Sequence, residues 1–244
     1  KESYCQVINV HRFLSSGLIA AFSGAKVISG YKKNPLSFLF IHRKPHYFQE
    51  GIHEVDRMLM LIEDITDKQF YKPALYPQPD DYRFVPENRN YVCLAPTSVW
   101  YTKQWPLDKW VELIRLFDPD TQVFLIGGPD DLEACNYIVK QCKREVYNRA
   151  GKLSFLESAA LMEKARMNYV NDSAPMHLAS AVNAPLTVVY CSTVPAFGFF
   201  PLSDCSKIVE TSRRLDCRPC GLHGYQKCHE GHFLCTDIPA KEVI

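Results

Sequence analysis

The feature that most constrains the fold lies between residues 91 and 190, where short apolar runs alternate with longer stretches of helical periodicity. Strands are expected over 91–95, 122–126, 167–171 and 186–190, with a short one near Val146. Helices are expected over 106–117, 130–142 and 155–164, followed by a short one opening near Pro175. Strands alternating with helices of this length specify a parallel sheet covered on both faces, an α/β fold. Ligands of such sheets sit outside the carboxyl ends of the strands, so the residues that follow each strand carry the interest.

After the first of these strands comes Thr97-Ser98-Val99-Trp100-Tyr101-Thr102-Lys103-Gln104-Trp105-Pro106, with hydroxyls at Thr97, Ser98 and Thr102 and one cation. Hydroxyls, amides and a lysine together suit a diphosphate. The second strand ends in Gly127-Gly128-Pro129-Asp130-Asp131, where glycines permit close backbone approach and a carboxylate could hold a ribose hydroxyl. The same residues read equally as a turn followed by a helix cap. Neither the spacing of a dinucleotide fingerprint nor a Walker-type loop occurs.

The third such end is Asn171-Asp172-Ser173-Ala174-Pro175-Met176-His177-Leu178-Ala179, a strand end, a turn and a helix start in one short stretch. Asp172 or Ser173 can cap the helix, and Pro175 suits a first turn where no amide donor is needed. Free amides and the positive end of the macrodipole make such a start an anion site. Capping alone is the commoner role, and it is the anion-friendly stretch around Lys103 that favours the functional one.

The 244 residues are 47% hydrophobic and 23% charged, with a net charge of +1. That is an ordinary globular composition without the basic field of a nucleic-acid binder, so no nucleic acid is expected as partner. The longest apolar candidates, near Leu18 and Phe38, are broken by Gly, Ser, His and Lys before they reach the length of a membrane span. A soluble or at most peripheral protein is expected. Cysteines 5, 93, 135, 142, 191 and 205 lie in apolar or helical contexts like small core residues, which fits a reducing cytosol.

The other four form a cluster, Cys217-x2-Cys220-x7-Cys228-x6-Cys235, interleaved with His223, His229 and His232. This is the density of a structural zinc site, although the second pair lacks the spacing of a standard ribbon. Zinc, a disulfide and free thiols all stay open.

The first part of the chain offers a strand over 5–11, a helix over 12–22 stopped at Gly24, and a strand over 26–31. Residues 34–46 match neither period, and 53–65 place Val55, Met58, Leu59, Leu61 and Ile62 on a helical stripe. Residues 68–89, rich in Pro, Asp, Tyr and Asn, read as a linker. Two domains are therefore expected, 1–85 including the linker and 86–244 with the Cys-rich tail. The chain starts without Met or a signal pattern and enters a strand at once, so an upstream part is expected.

The combination of Thr97 to Pro106, Gly127-Gly128-Pro129, Asn171 to Ala179 and Cys217-Arg218-Pro219-Cys220 resembles glycosyltransferase family 9, the bacterial heptosyltransferases that build the lipopolysaccharide inner core. The likeness is dense from Tyr91 onward. It is looser before that, through Val7-Ile8-Asn9-Val10-His11, Ser15-Ser16, Ser23-Gly24-Ala25-Lys26 and His53-Glu54-Val55-Asp56-Arg57. The resemblance implies a GT-B fold of two Rossmann-like domains, the N-terminal one, incomplete here, holding the acceptor and the C-terminal one the nucleotide sugar. It implies an inverting, metal-independent displacement in the cleft between them, with no cofactor required. The partners implied are an ADP-sugar donor, ADP-heptose in this family, and a lipid-linked core oligosaccharide, at the cytoplasmic face of the inner membrane.

By the same resemblance Lys103 is the cation at the leaving phosphates, Thr97 and Ser98 bind phosphate oxygens, and Asp172, Ser173 and the Ala174 amide complete the cradle. Asp131 would hold the ribose, the backbone near Leu153 would meet the base, and Thr102, His177 and Thr193 would line the same pocket. The family's Pro-Gly-Ser is Pro96-Thr97-Ser98 here, and its Asp-Ser-Gly is Asp172-Ser173-Ala174. The family's acidic catalytic base near the N-terminus has no match before His11. Two other readings stay open: a nucleotide-sugar-binding or epimerising enzyme of the same architecture, and a zinc-stapled interaction module.

Overall fold

The computed structural model describes residues 4–244. The chain divides into two compact units, Lys1–Lys72 with Ala196–Phe199, and Pro73–Pro195 with Phe200–Ile244.

The first unit contains β1 (Gln6–Asn9), α1 (Leu14–Ala21), β2 (Val27–Tyr31), β3 (His42–Lys44) and α2 (Glu54–Leu59). Its sheet has the order β1-β2-β3, both pairings parallel. The core is small, with Ala20, Ile28 and Phe40 buried and Val7 and Ala25 against them. Residues 34–46, which follow neither period, form one 3-10 turn over Ser37–Leu39 and then β3.

Helix α2 is shorter than the stripe over 53–65 suggests, since past Met60 the backbone turns to tighter i→i−3 bonds, Leu61 N to Met58 O and Ile62 N to Leu59 O, both at 3.0 Å. Asp56 Oδ2 accepts from His53 N at 2.8 Å, and His53 Nδ1 accepts from Val55 N at 3.1 Å. Arg57 is buried on it, donating to Glu54 Oε2 at 2.6 Å, Ile52 O at 3.1 Å and Phe197 O at 2.8 Å.

The second unit has β4 (Tyr91–Ala95), α3 (Leu107–Arg115), β5 (Gln122–Leu125), α4 (Leu132–Gln141), β6 (Tyr147–Asn148) and α5 (Phe155–Lys164). It continues with β7 (Met167–Asn171), α6 (Ala174–Ala181), β8 (Leu186–Tyr190), β9 (Ser206–Glu210) and α7 (Ala240–Val243). All strands are parallel, in the order β6-β5-β4-β7-β8-β9. This is the doubly wound order that runs outward from a first central strand, then outward again on its other side. The expected α/β fold with parallel sheets is what forms.

Alternation along each strand sends its side chains to opposite faces. Val92 and Leu94 of β4 join Val123, Leu125 and Val189 on one face, against Trp110, Leu113 and Ile114 of α3, Cys135 and Ile138 of α4, and Val243 of α7. Tyr91, Cys93 and Ala95 join Val170 and Val188 on the other, against Leu161 and Met162 of α5 and Met176 and Ala179 of α6. With some 25 cal/mol per Å² of apolar surface removed from water, these two layers supply the main driving force for this unit.

The division between the two compact units falls between Lys72 and Pro73, inside the stretch read as a linker. Part of the Pro-rich stretch is held to the second unit: Leu75 N donates to Ala181 O at 2.9 Å, and the 3-10 turn Pro79–Phe84 sends Tyr82 and Arg83 to the carboxylates of Glu163 and Glu157 on α5. β9 and α7 have no counterpart among the expected elements. β9 is a half-exposed edge strand without a clear period, and α7 is a single turn. Among the described residues, no helix is long and apolar enough to cross a membrane.

Candidate functional site

The strand order reverses between β4 and β7, and the crevice at the carboxyl ends of those two strands is the place where such a sheet accepts a ligand. Asn171, the last residue of β7, spans it: its Oδ1 accepts from Trp105 N at 3.0 Å and its Nδ2 donates to Thr97 O at 3.5 Å. The Thr97–Pro106 loop after β4 is thereby fixed against the start of α6.

Within that crevice Lys103 Nζ lies 2.7 Å from Asp172 Oδ2, the two side chains being 14% and 7% exposed. Thr193, at the end of β8, donates its hydroxyl to the same carboxylate oxygen at 2.6 Å. Three successive strand ends, those of β4, β7 and β8, thus converge on one carboxylate. A cation and a carboxylate this far from bulk water compensate each other, and the lysine head is held in one place instead of sweeping solvent.

Neither expected cap of α6 forms. Ser173 occupies the cap position but donates its hydroxyl back to Asn171 O at 3.3 Å, and the Asp172 carboxylate is turned to Lys103 and Thr193. The amides of the first turn therefore face no capping side-chain oxygen, and the helix keeps the positive end that an anion would meet. His177, one turn in, is exposed as a residue, yet protein atoms crowding its imidazole lower its pKa; the Asp172 carboxylate opposes this and Lys103 adds to it. Those two influences place it beside the pair.

Thr102 has a different surrounding from the one expected of a phosphate ligand. It is 1% exposed, and its oxygen accepts from Ser192 Oγ at 3.0 Å and from Tyr225 N at 2.8 Å, while its own amide donates to Tyr225 O at 3.0 Å. It braces the loop from beneath. Thr97 is buried and Ser98 half-buried on the same loop, where Ser98 O accepts from Gln104 Nε2 at 2.7 Å. Asp131 gives Oδ2 to the Gly128 amide at 2.7 Å, the capping role that the turn allows, which occupies one of its two oxygens. Asp131 follows β5 and Leu153 follows β6, so both stand along the same sheet edge as Lys103, on the far side of β4; Leu153 packs partly into the core.

The tail supplies residues that the sequence reading passes over. Arg218 donates from Nε to Cys191 O at 2.6 Å and from Nη2 to Thr193 O at 2.7 Å, and pairs with Glu210 at 2.5 Å, fixing the end of β8 that presents Thr193. Gly224, at φ +78°, lies so close to the lysine loop that a Cβ would stand 2.9 Å from Thr102 Oγ1 and 3.1 Å from Lys103 Cγ. Only pairwise proximity reveals these roles. A Gly and an Arg in a Cys-rich tail carry no local signal of their partners, which are the lysine loop for Gly224 and the end of β8 for Arg218.

All ten cysteines are free, and Cys5 and Cys205 are exposed, unlike the small core residues expected of them. Cys217, Cys220, Cys228 and Cys235 line a cavity of about 280 Å³ together with His229, His232 and Tyr225. Burial pushes the Cys235 thiol up to about 12 and raises Cys220 as well, with the neighbouring thiols adding to both shifts. Among the described residues, no three His, Cys, Asp or Glu side chains are gathered closely enough to hold a metal ion, so the zinc arrangement that the spacing allowed is not formed here. The tail acts on the site through the Thr102 and Gly224 contacts.

The model of glycosyltransferase family 9 (heptosyltransferase) matches residues 1–223. Lipopolysaccharide heptosyltransferase 3 of Escherichia coli is 38% identical over 109 residues, 43% of this chain and 32% of that protein. Its counterpart in strain K12 is 30% identical over 170 residues, 65% of this chain and 48% of that protein. The chain thus spans a third to a half of the length of these curated relatives. Among solved structures, that of E. coli ADP-heptose lps heptosyltransferase II superposes with a TM-score of 0.74 at 22% identity, covering 89% of this chain and 73% of the other, a likeness of fold.

Proposed function

The chain belongs to glycosyltransferase family 9, and from that premise we propose that it moves a heptose from ADP-heptose to an inner-core acceptor of lipopolysaccharide, by an inverting displacement that requires no metal. The observation that carries this reading is the Lys103–Asp172 pair beside the uncapped start of α6. Departure of a nucleoside diphosphate builds negative charge on its phosphate oxygens, and a fixed cation aimed at that charge lowers the barrier. Lys103 supplies it, and the Ala174 amide and the α6 dipole add to it. Asp172, itself fixed by the Thr193 hydroxyl, holds the ammonium group in place, and Thr97, Ser98 and Ser173 offer hydroxyls to the diphosphate. Asp131 would take the ribose and the backbone near Leu153 the base, a reading supported by their succession along the same sheet edge, and His177 would line the pocket.

The donor, the acceptor and a peripheral location at the cytoplasmic face of the inner membrane follow from this family reading together. An acceptor saccharide of that kind is carried on a lipid, and a protein that meets it works at a membrane surface.

The test is calorimetric titration with ADP. A charge-assisted hydrogen bond contributes about 1.5–3 kcal/mol, so Lys103→Ala should weaken ADP roughly 10- to 100-fold while the circular dichroism spectrum is retained. Unchanged affinity in a folded Lys103→Ala protein would overturn the reading.

A further inference from the structure

The tail that covers the lysine loop carries thiols which the donor site does not use. Cys217 and Cys220 are separated by two residues in a tight turn, where Arg218 N donates to Leu215 O at 3.1 Å and Gly221 N to Pro219 O at 3.0 Å. Both are free and half-buried, and both line the cavity of about 280 Å³. Cys220 Sγ donates to Cys217 O at 3.0 Å, so its sulfur is already folded back over Cys217. Cys217 Sγ lies 3.9 Å from His232 Nε2.

Two thiols at this spacing beside an open cavity have the frame of a reversible disulfide. Among the described residues no third His, Cys, Asp or Glu joins them to make a metal site, so pairwise chemistry is what they offer. The two are also unequal. Burial, with the Cys217 and Cys228 thiols adding, pushes the Cys220 thiol up and keeps it protonated at neutral pH. Cys217 has an imidazole beside it to take its proton.

The pair reaches the donor site by two routes. Arg218, between the cysteines, donates to Cys191 O at 2.6 Å and to Thr193 O at 2.7 Å. Cys220 N donates to Ser192 O at 2.8 Å, and Ser192 Oγ to Thr102 Oγ1 at 3.0 Å. A shift between residues 217 and 220 therefore acts on the strand end that presents Thr193 and on the loop that carries Lys103.

We propose that Cys217 and Cys220 form a peroxide-sensitive dithiol, whose closure into a disulfide loosens the Thr193, Asp172 and Lys103 array and weakens nucleotide binding. The oxidant is hydrogen peroxide. His232 takes the Cys217 proton, and the thiolate sulfur attacks one peroxide oxygen. The O–O bond breaks, the departing hydroxide regains that proton as water, and Cys217 is left as a sulfenic acid. Cys220 Sγ then attacks the Cys217 sulfur, the S–O bond breaks, and the hydroxide leaves with the Cys220 proton as a second water. Two thiols are oxidised and one peroxide is reduced, and a thiol reductant reverses the step. Closure removes the thiol hydrogen that Cys220 gives to Cys217 O and draws the two side chains together across Arg218. The link to nucleotide affinity rests on the transferase reading above; the disulfide itself does not.

The experiment takes the full chain, reduced and then treated with hydrogen peroxide, through alkylation, tryptic mass spectrometry and calorimetric titration with ADP. Cys217 and Cys220 fall in one tryptic peptide, residues 215–227, because an Arg-Pro bond resists trypsin; Cys228 and Cys235 fall in the next, 228–241. Peroxide should leave the first peptide unalkylated and lighter by two hydrogens and weaken ADP about 5-fold or more, and dithiothreitol should restore both. Cys220→Ser should keep the ADP affinity of the reduced wild type with and without peroxide, and yield a Cys217 sulfenic acid trapped by dimedone. An alkylated first peptide after peroxide, a bond confined to the second peptide, or one joining the two would overturn the site. Equal ADP affinity in the oxidised and reduced wild type, or the same loss in Cys220→Ser, would overturn the coupling. Should that variant not fold, the wild-type comparison and its reversal by dithiothreitol decide. A disulfide with no ADP binding in either state would overturn the coupling and the transferase reading and keep the dithiol, and ADP binding without a disulfide would keep the transferase reading and overturn the dithiol.

Discussion

Lys103 and Asp172 illustrate how two residues depend on one another at a site. Each carries a charge that would be costly to leave alone in the crevice, and each is compensated by the other at 2.7 Å. The two members are nonetheless unequal toward a diphosphate, since the lysine attracts it and the carboxylate repels it. Asp172→Asn should therefore retain or strengthen ADP binding, opposite in sign to Lys103→Ala. It should also lower stability by about 1–3 kcal/mol, because a buried ammonium loses its countercharge. Thermal shifts with and without ADP separate the two effects, and a loss of ADP affinity in Asp172→Asn equal to that in Lys103→Ala would refute this assignment of roles. A second prediction at this scale concerns His46. Burial, with Arg12 and Arg57 adding, holds its pKa below the ordinary 6.5, against the pull of Glu54. The unfolded chain then binds the proton more tightly, so stability is lost as pH falls below about 6.5. The melting temperature should drop between pH 7.5 and 5.5, and His46→Phe should flatten that slope; identical slopes would contradict it. His177, with its pKa also lowered, adds a trend of the same sign.

Among the elements, the Cys-rich tail matters most beyond the sheet itself. Its segment around Gly221–Phe233 covers the lysine loop: the Trp100 and His223 rings stack at 6.5 Å, Tyr101 and Phe233 at 5.2 Å, and Gln226 Nε2 donates to Val99 O at 3.1 Å. Gly224 lets that cover approach. At φ +78° any other residue is strained, and its Cβ would press on the buried Thr102 hydroxyl, which already accepts two hydrogen bonds. Gly224→Ala should cost about 1–3 kcal/mol of stability and also weaken ADP, since the loop that must shift carries Lys103. Wild-type ADP affinity in that variant would show that the tail is packing alone. Removing a side chain at Gln226, which reaches only the exposed outer turn, serves as the control with little effect on either measurement.

On the scale of the whole molecule the two units differ in what holds them. The second has apolar layers on both faces of a six-stranded sheet, with β4, β7 and β8 central. The first has three strands and a small buried cluster, and α1 leaves Leu14, Ile19 and Phe22 at 51%, 76% and 84% exposure. Opening free energy follows buried apolar contact, so hydrogen exchange should be slowest in β4, β7 and β8 and markedly faster in β1 to β3. Equal protection of the two sheets would contradict that ordering. The legibility of the sequence follows the same division. Expected strands 91–95, 167–171 and 186–190 and helix 155–164 match β4, β7, β8 and α5 in their bounds, because central strands and well-capped helices carry an undiluted period. Ser154 and Glu157 cap α5 reciprocally, with Glu157 N to Ser154 Oγ at 3.2 Å and Ser154 N to Glu157 Oε2 at 2.7 Å. Where elements are short, exposed or held mainly by contacts with distant residues, as for β3, β9, α7 and the turn at Pro79, the local pattern is too weak to be read.

The sequence by itself determined the α/β class, the central strands, and the strand ends at which Lys103 and Asp172 would be found, because period and turn chemistry are local properties of the chain. Only the tertiary structure decided which ends lie side by side: that β4 neighbours β7 at the reversal of strand order, that Thr193 joins the pair, that α6 starts uncapped, and that from the tail Gly224 closes on the lysine loop and Arg218 on the end of β8. It decided as well that the Cys220 thiol folds back onto Cys217. Those facts depend on which distant residues are brought together by burying both faces of a sheet, and no window of neighbouring residues contains that information.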